Sequence, residues 1–167
     1  MKPEQDLFTA LKNTHLTLSL AESCTGGLVS ARLVSLPGIS DFFLGGIVSY
    51  TNSVKKSLLS VQEETLEKYT AVSAEVAREM ADGVRLATGS DIGVSVTGLA
   101  GPGGGTEEIP VGRVYIGVST PDGCRALAFL FRGGRQAIRY RAADAALNLA
   151  CAAAYQFAVS RKDREKK

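Results

Sequence analysis

The segment Ser23-Cys24-Thr25-Gly26-Gly27 places two hydroxyls and a thiol directly before a pair of glycines. Hydroxyls and thiols are the nucleophiles of covalent catalysis, and glycines behind them leave the N–H groups of a following helix open to an oxyanion or a phosphate. The same residues have a plain structural use, because Ser23 or Thr25 can simply cap that helix. Cys24 is a second candidate nucleophile, aided by a helix start but with no base near it in sequence.

A nucleophile needs a base. The only histidine, His15, opens a segment of alternating polarity and reads as structural, so a Ser-His-Asp triad has no members to build it. The cluster Ser49-Tyr50-Thr51-Asn52-Ser53-Val54-Lys55-Lys56 offers a substitute. A lysine that is buried or paired with a tyrosine loses basicity and can serve as general base, and Tyr50 and Lys55 can share one crevice. Lys55 and Lys56 also read as a solvated helix face. Ser53 and Lys56 satisfy an S-x-x-K pattern, but no Lys-Thr-Gly follows, and Ser95 lies inside a strand without a complete G-x-S-x-G.

Two further clusters supply binding groups. The stretch from Thr97 to Gly112 is too rich in glycine for a routine connection and reads as a ligand-wrapping loop. Its N–H groups, around Gly101 and Gly104, could form an anion nest, with Thr106 or Glu107 orienting a sugar hydroxyl or an amide. Gly133-Gly134-Arg135 and Arg139 open the last helix, where Arg135 is either a fork donor to an anion or a surface residue. There is no G-x-x-x-x-G-K-[ST], and the run Gly101 to Thr106 precedes a strand, which excludes the P-loop and dinucleotide-fold readings. One His and three scattered Cys give no metal-ligand spacing, and the expectation is a site without metal or cofactor.

These clusters need a scaffold. Hydrophobic periodicity predicts helices over 4–13, 28–36, 52–59, 63–69, 74–88 and 136–160, and strands over 15–21, 43–50, 91–97, 111–120 and 125–132. Ser73 and Gly89 are the expected caps of the fifth helix. Gly45-Gly46 marks a bulge or a close backbone approach, and Pro121-Asp122-Gly123 marks a hairpin. Helices before, between and after four or five strands give an α/β domain with a parallel or mixed sheet and one antiparallel hairpin. Its ligand site is expected beyond the carboxyl ends of the parallel strands.

The chain has 167 residues, 45% hydrophobic and 22% charged, with 18 glycines and a net charge of +2. This fits one folded domain, expected over residues 1–160, with 161–167 as a basic, frayed tail. The tail carries +3 of the charge and leaves −1 on the body, which argues against a nucleic-acid-binding face. Cys24, Cys124 and Cys151 are an odd number without paired spacing, and the N-terminus has no apolar signal core, as in a reduced cytoplasmic protein. The apolar stretch 145–159 is shorter than the roughly 18 residues of a membrane span, so no membrane association is expected.

Taken together, Ala21-Glu22-Ser23-Cys24-Thr25-Gly26-Gly27, Ser49-Tyr50-Thr51-Asn52 with Lys55, Ala71-Val72-Ser73, Thr97-Gly98-Leu99-Ala100-Gly101-Pro102 through Pro110-Val111-Gly112, and Gly134-Arg135 with Arg139 resemble one family. It is the CinA carboxy-terminal domain, which includes the PncC-type nicotinamide mononucleotide deamidases, and the resemblance spans nearly the whole chain. It implies a three-layer α/β/α sandwich with a mixed, mostly parallel sheet. It also implies hydrolysis of the carboxamide of nicotinamide mononucleotide to nicotinate mononucleotide and ammonia, a step of pyridine nucleotide recycling.

By that resemblance Ser23 is the nucleophile, Lys55 its base, and Tyr50 a proton-relaying or orienting partner. Thr25, Gly26 and Gly27 would hold the oxyanion. Asn52, Gly101, Gly104, Thr106, Glu107, Arg135 and Arg139 would contact substrate, the phosphate falling to the loop or to Arg135. A homodimer is expected from family habit. Many relatives have lysine where Ile109 stands, and larger ones carry an amino-terminal domain of the molybdopterin-binding type with pyrophosphatase activity, so a standalone deamidase is expected. The rival reading is a non-catalytic, nucleotide-binding regulatory module tied to competence or DNA damage.

Overall fold

A computed structural model of the chain describes residues 2–165. The element order is α1 (Pro3–Thr14), β1 (Leu18–Glu22), α2 (Leu28–Val34), β2 (Phe43–Val48), α3 (Asn52–Leu59), α4 (Glu63–Tyr69), α5 (Ala74–Thr88), β3 (Ile92–Gly98), β4 (Arg113–Thr120), β5 (Gly123–Leu130) and α6 (Arg135–Glu165), with a short 3₁₀ turn at Ile39–Asp41. The five strands form one sheet in the order β2-β1-β3-β4-β5. β1 pairs in parallel with β2 and β3, whereas β4 runs antiparallel to β3 and β5 antiparallel to β4. This is the expected mixed sheet with helices on both faces.

Alternation along the strands divides the core. Leu18 and Leu20 of β1, Val94 and Val96 of β3 and Val114 and Ile116 of β4 join α1, α2 and α6 in one cluster. Ala21 faces the other way, toward Leu59 of α3 and Val76, Met80 and Val84 of α5. Buried Ile138, Ala142, Ala146, Ala150, Ala153 and Phe157 recur at three- and four-residue steps, forming the stripe by which α6 lies on the sheet. On the opposite face α5 and α3 pack closely enough that a Cβ on Gly83 would stand 2.0 Å from the Leu59 carbonyl oxygen, so only glycine fits there.

Several expected boundaries move. His15 starts no strand: it is exposed and ends α1 in the left-handed region, at φ 54°. β1 shows no alternation of exposure either, since all five residues are buried, and its polar members are bonded inside, Ser19 to Ser90 at 2.7 Å. The bulge near Gly45 is present, with Leu18 opposite Phe43 and Ser19 opposite Gly45. β4 begins at Arg113 because Gly112 turns at φ 94° and spends its N–H on the Leu99 carbonyl. α6 runs five residues past Ser160, so 161–165 belong to the helix; Arg164 pairs with Asp122 of the hairpin turn and lies 5.6 Å from the Phe157 ring. The remainder of the expected tail, 166–167, lies outside the described residues. Among the described residues no helix is long and apolar enough to cross a membrane.

Candidate active site

β1 is the switch point of the sheet. The chain leaves its carboxyl end for α2 on one face, whereas the chain leaving neighbouring β2 goes to α3 and α5 on the other, and such a divergence opens a crevice. Ser23 is the first residue beyond β1 and is fixed there by its N–H on the Val96 carbonyl at 2.9 Å. Ser49 holds the matching position beyond β2, with its N–H on the Glu22 carbonyl at 2.7 Å. Two residues later the chain enters α3, whose N-cap Thr51 accepts from the Val54 N–H. One turn into α3, Lys55 points back into the crevice.

Lys55 is 1% exposed. Its Nζ donates to Ser23 Oγ at 3.0 Å and to the Ser49 carbonyl at 2.7 Å. No ion pair among the described residues includes it. A buried ammonium without a carboxylate is poorly solvated, and burial accordingly pulls the Lys55 pKa below 10.5, against a smaller opposing pull from Cys24. Cys24 is driven the other way, up to about 11, chiefly by burial, against the pull of its own backbone N–H, with the Glu22 carboxylate adding to the rise and Lys55 and Arg139 partly offsetting it. The hydroxyl is thus the group in contact with Lys55, and the neighbouring thiol stays protonated near neutrality.

Between Ser23 and α2 the backbone turns through Gly26 and Gly27, at φ 59° and 90°, where a side chain would be strained. The expected oxyanion donors need correction here. The Gly26 N–H is taken by the Ser23 carbonyl and the Gly27 N–H by the Glu22 carboxylate, both at 3.0 Å. The N–H groups of Cys24 and Thr25 are given to no other described residue, so the available pair lies one step nearer Ser23. Thr25 is fully buried, its hydroxyl has no partner among the described residues, and its carbonyl accepts from Arg139 at 2.7 Å.

A cleft of about 190 Å³ joins Ser23, Cys24, Tyr50, Asn52 and Lys55 to Ala71, Val72, Thr97, Gly98, Ala100 and Arg135. Arg135 spans its mouth, donating to the Gly101 carbonyl at 2.6 Å and to the Tyr50 hydroxyl at 3.0 Å. Tyr50 is 59% exposed, and its hydroxyl bonds to Arg135 rather than to Lys55, which fits an orienting part and not a relay.

Gly104, Thr106 and Glu107 do not line the cleft. They are exposed on the loop, where Thr106 spends its N–H and Oγ1 on the backbone of Ile109. Three contributors carried no role in the sequence reading: Glu22, the Ser49 carbonyl, and Thr97, whose hydroxyl donates to the Ala71 carbonyl at 2.6 Å and ties the loop before α5 to β3. Among the described residues no three His, Cys, Asp or Glu side chains converge as a metal-ligand set.

The model of the CinA C-terminal domain family matches residues 1–153. A "CinA-like protein" of Desulfotalea psychrophila is 52% identical over 140 residues, covering 84% of this chain and 34% of that protein. A "CinA-like protein" of Thermotoga sp. strain RQ2 is 46% identical over 146 residues, covering 87% and 36%. The chain therefore spans about a third of the length of the curated relatives it matches. Among solved structures, the competence/damage inducible protein CihA of Agrobacterium tumefaciens superposes with a TM-score of 0.84 at 37% identity, covering 90% of this chain and 92% of that one. A CinA superfamily protein of Klebsiella pneumoniae gives 0.88 at 28% identity, with 92% and 96% covered.

Proposed function

We propose that this chain, which belongs to the CinA C-terminal domain family, is a serine amidohydrolase that converts nicotinamide mononucleotide and water to nicotinate mononucleotide and ammonia. The observation that carries the reading is the Lys55 Nζ, buried without a carboxylate and 3.0 Å from Ser23 Oγ. A lysine kept for structure alone would be better replaced by an apolar residue, because a buried cation costs more than it returns.

With Lys55 neutral, its lone pair takes the Ser23 proton as Oγ attacks the amide carbon. The oxyanion that forms accepts from the Cys24 and Thr25 N–H groups, each such donor contributing about 2.7–4 kcal/mol in comparable sites. The proton on Lys55 passes to the leaving nitrogen, the C–N bond breaks and ammonia departs. Water, deprotonated by Lys55, then attacks the acyl-enzyme, and Ser23 recovers its proton as the carboxylate is released.

The cleft is smaller than the roughly 300–1,000 Å³ of pockets that enclose a whole drug-sized ligand. It suits the amide-bearing ring, with Asn52 on its wall, and leaves the sugar phosphate outside. Arg135 lines the cleft and Arg139 follows one helical turn on; neither pairs with a carboxylate among the described residues, which supports the two of them as the phosphate ligands.

The test is ammonia release by purified protein, with a chelator present, from the mononucleotide beside free nicotinamide and the nucleoside. Release from the mononucleotide alone, abolished in Ser23→Ala with substrate binding retained, supports the reading. Binding without release from any of the three would sink it and favour a regulatory nucleotide-binding module.

A further inference from the structure

Glu22 ends β1 directly before the nucleophile and is 1% exposed. Its Oε2 accepts from the N–H groups of Gly27 at 3.0 Å and Val29 at 3.1 Å, and its Oε1 from the N–H and the hydroxyl of Ser30 at 2.8 and 2.7 Å. Four donors around one buried carboxylate are a strong local anchor, because charge-assisted bonds are about twice as strong as neutral ones. The N-cap of α2, Gly27, has no side chain, so the capping oxygens come from five residues upstream.

That reach has a geometric effect. The Glu22 backbone is locked into the sheet, and its carboxylate grips the first turn of α2, so the loop 23–26 is closed at both ends by one residue. Within the closed loop the Gly26 N–H turns onto the Ser23 carbonyl and the Gly27 N–H onto the carboxylate. Only the Cys24 and Thr25 N–H groups are left for a ligand.

We infer that Glu22 is the positioning residue of the oxyanion turn: its carboxylate takes up the amides of the α2 N-terminus and thereby fixes the loop that presents the Cys24 and Thr25 amides beside Ser23. The inference rests on Ser23 being the nucleophile, though not on the identity of the amide. It also sets where the substrate's own anion cannot go, since the helix start that would attract a phosphate already holds a carboxylate.

The test uses a fluorophosphonate, which needs no knowledge of the substrate. Ser23 Oγ attacks phosphorus, the P–F bond breaks, fluoride leaves and Lys55 receives the serine proton, while the phosphoryl oxygen rests on the oxyanion turn. Labelling at Ser23 is located by peptide mass and resolved into KI and the limiting rate kinact. In Glu22→Gln the amide nitrogen faces N–H donors and pushes the loop away. A misplacement near 1 Å costs about 100-fold, so kinact should fall about 10- to 100-fold with KI unchanged, the split that a purely structural capping residue would not give.

An unchanged kinact in folded Glu22→Gln overturns the inference, as does wild-type protein that is not labelled at Ser23. Should Glu22→Gln fail to fold, Ser30→Ala removes one of the four donors and leaves the backbone amides; it should slow kinact with KI unchanged, and an unaltered kinact there is equally fatal. Wild-type labelling without ammonia release from the mononucleotide would sink the proposed substrate, while the variant rates would still decide the role of Glu22.

Discussion

Replacing Lys55 by Met tests the proposed base and its burial in one variant, because the side chain keeps an unbranched apolar stem out to Cε, with sulfur in place of Cδ, and loses the amine. Two opposing terms set the stability. Removing a buried charge in favour of an apolar side chain is neutral to stabilising by about 1–4 kcal/mol. Leaving the Ser49 carbonyl without its 2.7 Å donor costs about 1–3 kcal/mol. The sum lies within roughly 3 kcal/mol of wild type near neutral pH, so the variant should fold.

The pH dependence carries the sharper sign. The Lys55 pKa is lower in the folded protein than the 10.5 of the free side chain, so between those two values the unfolded chain binds more protons than the native one. Wild-type stability therefore rises with pH in that window, by about 1.36 kcal/mol per pH unit relative to Lys55→Met. Below the folded pKa the difference is constant. Losing the general base should lower kcat about 10²- to 10⁴-fold, and wild-type kcat/KM should climb with pH through an apparent midpoint below 10.5. Denaturant titrations of both proteins from pH 6 to 10, beside ammonia release, measure all of this. A variant retaining more than a tenth of the wild-type rate, or two stability curves that stay parallel to pH 10, would refute the reasoning.

Arg135→Ala removes the guanidinium at the cleft mouth; a hydrogen bond to a charged group contributes about 1.5–3 kcal/mol, so KM for the mononucleotide should rise about 10- to 100-fold with kcat little changed, and an unaltered KM would move the phosphate elsewhere. Gly83→Ala drives a Cβ into the Leu59 carbonyl at the end of the helix that carries Lys55; overpacking of about 1–3 kcal/mol should lower the melting temperature and reduce turnover, whereas wild-type values for both would show that α3 and α5 are free to separate. Cys24 is 6% exposed with a thiol pushed up to about 11, so iodoacetamide at pH 7 should leave it unmodified in native protein and label it after denaturation, and rapid native labelling would contradict that protonation state.

The helices on the α3–α5 side were legible to the residue because their limits are local. Thr51 and Ser73 accept from the N–H groups three residues on, and Gly89 closes α5 in the left-handed region. That Ser23, Lys55 and Arg135 belong to one cleft was legible because few other residue types in the chain could do the chemistry proposed for them. What escaped depends on chain reversal. Glu22 reads as the residue that leads out of the first strand until α2 folds back over it, and the last turn of α6 is held by the pairing of Arg164 with Asp122, 42 residues earlier in the chain. The glycine density of 101–105 suggested ligand contact, but the loop beyond Gly101 turns to solvent and bonds to itself.

The two helix starts near the cleft carry side chains of opposite charge, a contrast that supports the proposal of one small site serving both ends of an anionic substrate. Helix N-termini attract anions. At α2 that field is already answered by Glu22, so the amides beside Ser23 meet an oxyanion only when it develops, and a ground-state phosphate gains nothing by lodging there. At α6 the first turn holds no acid, and Arg135 and Arg139 sit near a positive helix end, an arrangement that disfavours the empty fold. Local rules broken in this way are expected where binding supplies the missing partner. On the proposed function, a phosphate at α6 would fix the ring's amide over Ser23, and the distance between the two helix starts would be the measure by which the site tells a mononucleotide from a bare amide.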